Sequence, residues 1–134
     1  MTNNKPVIKK EDLIYPELSY KIVGVLFEVF NELGYGYKEI HYQRAISKLF
    51  KDLGVTFQEQ VQTSIQCKDQ NVGSYYFDFL IENIIVLEIK KGDYFSRHNI
   101  EQVLNYLKSR NFKLGILANF TSDGVKFKRI VNLE

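Results

Sequence analysis

The sequence predicts an α/β domain in which a mixed central β-sheet is flanked by helices, and three patterns support this. Residues 74–81 and 84–91 are strongly apolar runs with the period-two alternation of strands, separated by a short polar turn. Residues 17–33, 38–53 and 97–110 place apolar side chains at helical spacing. The third helix is followed by another apolar run, so the chain returns to the sheet through a crossover. The expected element order is α-α-β-β-β-β-α-β-β.

Residues 1–12 are polar, contain Lys5, Lys9 and Lys10, and read as a loose N-terminal arm. In residues 17–33 the stripe is Leu18, Ile22, Val25, Leu26, Phe30 and Leu33, and Gly34-Tyr35-Gly36 then turns the chain. Residues 38–53 carry a second stripe of Tyr42, Ile46, Leu49, Phe50 and Leu53. At about 100° per residue Glu39 falls on that same stripe, whereas His41 points to the opposite, exposed side. An inward carboxylate needs a partner; the plainer alternative is that Glu39 only favours the positive end of its helix. Gly54 caps this helix.

Residues 55–61 and 64–68 are expected as two strands and residues 69–73 as a turn, giving a meander into the central hairpin. Gln58, Glu59 and Gln60 suit an edge strand, with a place near the site as the lesser option for Glu59. In residues 97–110 the buried face is Ile100, Val103, Leu104 and Leu107, with Gln102 and Tyr106 sharing a flank beside it. Residues 113–120 and 125–133 are the last strands.

With 134 residues, 45% of them apolar, the chain suits a single domain with one core. Ten Phe and nine Tyr against two Pro exclude a disordered chain. A net charge of +2 does not by itself announce nucleic-acid binding, although Lys108, Arg110, Lys113, Lys126, Lys128 and Arg129 gather cations in the last quarter. The lone Cys67, read as a strand residue, excludes an internal disulfide and a cysteine-based zinc site. No run of about 20 apolar residues and no signal-peptide pattern is visible, so the expectation is a cytoplasmic protein without a membrane partner.

The hairpin concentrates the chemistry. Tyr75, Phe77, Phe79 and Ile81 alternate with Tyr76, Asp78 and Leu80, and Ile85, Leu87 and Ile89 alternate with Ile84, Val86, Glu88 and Lys90. A three-residue turn at Glu82, Asn83 and Ile84 would set Leu80 opposite Val86 and Asp78 opposite Glu88. Two carboxylates facing each other across about 5 Å repel unless a cation lies between them, and a hard divalent ion fits. Alternatively both acids lie at a wet sheet end and pair with Lys90 and Lys91.

Asp78, nine further residues and then Glu88-Ile89-Lys90 resemble the core motif of the PD-(D/E)XK nuclease superfamily, with Phe77 where the motif has proline. Gly36-Tyr37-Lys38-Glu39-Ile40-His41-Tyr42 resembles the signature of its GxxExxY branch. Gln102-Val103-Leu104-Asn105-Tyr106 is similar to the Q-x-x-x-Y helix of superfamily exonucleases, and 115–120 and 128–130 resemble the closing segments of GxxExxY proteins.

The resemblance implies a restriction-endonuclease-like fold and a metal-dependent nuclease acting on nucleic acid, with DNA favoured. It implies Glu39, Asp78, Glu88 and the Ile89 carbonyl as ligands of Mg²⁺, with Mn²⁺ as a substitute. Lys90 would hold phosphate and orient or deprotonate water, and Gln102 and Tyr106 would bind substrate. A boundary aromatic and a surface amide are the structural alternatives for these last two. Two other functions stay open: a nuclease-like module that binds nucleic acid or protein without cutting, and a small-molecule hydrolase. A homodimer or partner protein would supply target choice.

Overall fold

The computed structural model describes residues 14–133; the expected arm at residues 1–12 lies outside them. Helix α1 (Pro16–Leu33) and helix α2 (Glu39–Asp52) come first, followed by strands β1 (Phe57–Cys67), β2 (Gln70–Ile81) and β3 (Ile85–Lys91). Helix α3 (Arg97–Arg110) then leads to β4 (Leu114–Thr121) and β5 (Gly124–Val131). The five strands form one sheet in the order β1-β2-β3-β4-β5, with β3 and β4 parallel and the other pairs antiparallel. This is the expected α/β class, a mixed sheet flanked by helices.

The sheet separates two cores. On one face α1 and α2 pack Ile22, Leu26, Tyr42, Ile46 and Phe50 against Phe79, Ile81, Leu87 and Ile89. On the other, α3 packs Val103, Tyr106 and Leu107 against Phe77, Leu80, Val86 and Leu117. Helix α2 ends in a paired cap: Gly54 N–H donates to the Lys51 carbonyl at 3.1 Å and Val55 N–H to the Phe50 carbonyl at 2.9 Å. Gly54 has φ 71°, as that cap requires. Leu53, expected in the α2 stripe, stands outside it at 53% exposure because it is the capping residue itself.

One strand fewer precedes α3 than the sequence suggests. Residues 55–61 and 64–68 are not two strands, since β1 runs unbroken and pairs with β2 from Phe57–Ile81 to Cys67–Gln70. No turn falls at Gln62-Thr63; exposed Gln62 and half-buried Thr63 are positions of a two-stranded arm. The turn expected over residues 69–73 is only Lys68-Asp69, with φ 47° and 67°, the double positive-φ geometry of a tight hairpin. The second turn forms as expected over Glu82, Asn83 and Ile84, with Leu80 opposite Val86.

A further difference concerns the faces of β2. Phe77 and Phe79 do not share a side: Phe79 joins the α1/α2 core and Phe77 the α3 core. The alternation inverts at Asp78, where the β2–β3 ladder has ended at Phe79–Leu87 and Gln60 of the neighbouring strand holds φ 50°. A strand that loses its regular partner on one side and faces an irregular one on the other is free to twist.

Gly115 fixes how closely α3 lies on the sheet: a Cβ there would sit 2.5 Å from Val103 Cγ1. Gly115→Ala is expected to destabilise the protein by roughly 1–3 kcal/mol in urea unfolding. Combined with Val103→Ala it should cost less than the sum of the two changes, because the second relieves the clash made by the first.

Candidate active site

Beyond the Phe79–Leu87 rung, β2 and β3 are joined by side chains in place of the ladder. Asp78 N–H donates to Glu88 Oε1 at 3.1 Å, and Ile89 N–H donates to Asp78 Oδ2 at 2.7 Å. Each carboxylate thus satisfies a backbone amide of the opposite strand. Asp78 and Glu88 are 8% and 2% exposed, so they do not lie at a wet sheet end. Nor do they pair with Lys90 and Lys91: the ion pairs among the described residues are Lys48–Asp52 and Arg97–Glu101, both on helix surfaces.

The remaining oxygens have partners as well. Gln43 Nε2 donates to Asp78 Oδ1 at 2.8 Å, and Gln60 Nε2 donates to Gln43 Oε1 at 3.3 Å. The Tyr75 hydroxyl donates to Glu88 Oε2. Along α2, Glu39, Gln43 and Ser47 form a polar line at four-residue spacing, with Ser47 donating to Glu59 Oε1. Glu59 thus joins the surrounding network and not the acid pair.

Burial pushes the Glu88 carboxyl up to about 8, reinforced by a hydrogen bond and charge repulsion from Asp78. The Tyr75 hydroxyl and the Lys90 ammonium act the other way. A hydrogen bond between two carboxyls requires that one carry a proton. Tyr75 is itself raised, by burial first and then by Glu88, Asp78 and Glu39, so all three acids are felt at one hydroxyl.

Glu39 is nevertheless not joined to the other two. Its Oε1 accepts from Lys91 N–H at 3.2 Å, at the end of β3. Among the described residues no three His, Cys, Asp or Glu side chains lie close enough together to hold a metal ion. The cluster expected of Glu39, Asp78 and Glu88 is therefore present as a pair plus an outlying acid. The pair suits a cation: two buried, neighbouring hard oxygen donors whose repulsion helps raise Glu88 are relieved by a divalent ion. Lys90 is half-buried beside Glu88, whereas Lys91 lies on the other side, its Nζ 5.6 Å from the Tyr35 ring centroid.

Gln102 and Tyr106 line a groove of about 500 Å³ between α3 and the β1–β2 arm, together with Tyr75 and Phe77. Tyr106 is buried, its ring 4.6 Å from that of Phe77, and burial raises its hydroxyl. His41 is exposed and edge-on to Tyr37, outside the site. Of the basic residues, Lys126 continues a row across the sheet from Lys90 through Asn119, while Arg129 is turned away to the Ile14 carbonyl.

Two residues escaped the sequence reading. Gln43 was findable as the residue one turn after Glu39. Tyr75 was not, because unbroken alternation assigns it to the side of Phe79.

A family model of the PD-(D/E)XK nuclease superfamily matches residues 16–130. The chain belongs to that superfamily. Members of that superfamily generally use divalent metals. The chain is similar in fold to the crystal structure of SSO0001, with a TM-score of 0.54 and 20% sequence identity over 92% of this chain. It spans 60% of that protein's length. No curated protein matches it. Among the described residues no helix is long and apolar enough to cross a membrane.

Because the folded Glu88 holds its proton up to about pH 8 and an unfolded one releases it near 4.5, the folded state binds more protons between those values. Stability in EDTA should therefore be fullest below about pH 4.5 and fall as pH rises through 8. Glu88→Gln should flatten that fall in thermal melts across the range. Tyr75→Phe should move it to higher pH, since it removes a hydrogen bond that lowers Glu88.

Proposed function

We propose that this PD-(D/E)XK protein is a metal-dependent nuclease that hydrolyses phosphodiester bonds of nucleic acid, with DNA the favoured substrate, and that it falls in the GxxExxY branch. The observation that supports this most is the buried Asp78–Glu88 contact beside Lys90, a cation-seeking pair next to an ammonium group.

Asp78 and Glu88 would hold Mg²⁺, or Mn²⁺ in its place, with the Ile89 carbonyl as a further oxygen donor. Such an ion, when bound, supplies charge neutralisation at the phosphate and a more acidic water. Glu39 adds negative charge from the start of α2, where the helix amides favour it. Lys90 holds the phosphate and orients or deprotonates the attacking water. Gln102 and Tyr106 wall the groove in which substrate is positioned. Target choice would come from a homodimer or a partner protein, and the exposed thiol of Cys67 fits a reducing, cytoplasmic setting.

A second reading draws on the separation of Glu39 from the acid pair: a nuclease-like module that binds nucleic acid without cutting it. The two differ in a plasmid and oligonucleotide assay. The nuclease reading expects cleavage with Mg²⁺ or Mn²⁺, none in EDTA, and a loss of at least about 100-fold in Asp78→Ala and in Lys90→Ala. Calorimetric Mn²⁺ titration should lose its heat in Asp78→Ala and keep it in Lys90→Ala. Cleavage that survives both substitutions refutes the assignment, and binding in EDTA without cleavage under either metal selects the second reading.

A further inference from the structure

The groove beside Tyr75 has a chemistry of its own. Its wall on one side is the exposed β1–β2 arm and on the other the flank of α3. None of its lining residues is Lys, Arg, Asp or Glu. A channel that tracks a phosphate backbone would be cationic. This one instead offers rings and amides, those of Gln66, Gln102 and Asn105 being engaged by no hydrogen bond among the described residues.

Tyr75 connects this groove to the acid pair. Its ring is part of the wall, and its hydroxyl donates to Glu88 Oε2. Arg110 lies over the Tyr106 ring at 5.9 Å and His98 is part of the lining, while a row of lysines runs in the other direction along the sheet. Lys90 on β3, Asn119 on β4 and Lys126 on β5 are cross-strand neighbours on the α3 side, whereas the groove opens over β1 and β2. The acids thus have a ring- and amide-lined recess on one side and a row of lysines on the other.

We infer that this groove is a subsite for an unpaired nucleobase, so that the site takes single-stranded nucleic acid or an unpaired end. The inference rests on the nuclease reading and names its substrate class. A base offers a flat π-face and an edge of alternating donors and acceptors, which match a tyrosine ring and free amides. A recess of about 500 Å³ is in the range that encloses one such group. A base inside a duplex presents neither face nor pairing edge to a recess; it must first leave the stack. A phosphate extending from a base held here toward Lys90 would pass the acid pair.

The test is fluorescence anisotropy in EDTA with a labelled single-stranded DNA oligonucleotide and a blunt duplex of the same sequence. The single strand should bind at least about tenfold more tightly. Gln66→Ala combined with Asn105→Ala, both at exposed positions on opposite walls, should weaken single-strand binding about tenfold and leave duplex binding unchanged. Equal affinity for the two probes, or equal loss on both, overturns the inference. So does displacement of the oligonucleotide by free mononucleotide as effectively as by unlabelled strand, which would mark a small-molecule site. Because no metal is present, the outcomes separate: strand selectivity without cleavage leaves this subsite standing and removes the nuclease reading. Cleavage without selectivity does the reverse.

Discussion

The site depends on a substitution of carboxylates for backbone bonds. Where β2 and β3 stop exchanging amide and carbonyl, Asp78 and Glu88 each accept the other strand's N–H. Buried amides need acceptors, and leaving one without a partner costs about 1–3 kcal/mol. The acids are therefore held by the fold before any ligand arrives, and the fold is held partly by the acids. The cost is electrostatic: burial, with repulsion from the neighbouring Asp78, raises the Glu88 carboxyl to about 8. A site that favours a proton because its negative charge is poorly solvated is one that a cation can enter by exchange.

The same break in the ladder shapes the surroundings. Freed from β3, β2 twists at Asp78, and Phe77 with Tyr75 comes round to the α3 side. The remainder of β2 continues with β1 alone as a two-stranded arm, and the space between that arm and α3 is the groove. Tyr75 then touches Glu88 because the inversion brings it there. Lys90 and Lys91 alternate: the charge of one is felt at Glu88, and the other lies over the Tyr35 ring across the sheet.

Most of the fold was legible because its signals are local. The α3 bounds, the turn over Glu82, Asn83 and Ile84, and the pairing of Leu80 with Val86 follow from periodicity and turn chemistry. The motif around Asp78, Glu88 and Lys90 stood out because charges rarely interrupt apolar strands. The length of β1 was hidden, since Gln62 and Thr63 in an exposed arm look like a turn when read without a partner strand. The position of Tyr75 was hidden for a deeper reason. Period two holds only while a strand keeps its neighbours, and the residues that end the pairing are themselves the ones of interest. Glu39 was placed correctly on the inner side of α2, but its choice of the Lys91 amide over the acid pair is a matter of reach that helical angle does not express.

The position of Glu39 bears on how the site would be filled. At the first residue of α2 it lies at the positive end of the helix and accepts the Lys91 N–H. It is therefore engaged apart from the Asp78–Glu88 pair. Its charge is already felt at Tyr75, the hydroxyl that occupies Glu88 Oε2. A cation approaching that oxygen competes with a hydroxyl that is hard to ionise and easy to turn aside, because a tyrosine O–H rotates about its bond. Asp78, by contrast, is held from two sides by Gln43 and the Ile89 amide. Each acid keeps one oxygen on a backbone amide, and the pair differs at the second: an amide side chain holds Asp78 Oδ1, whereas a hydroxyl that can turn aside holds Glu88 Oε2.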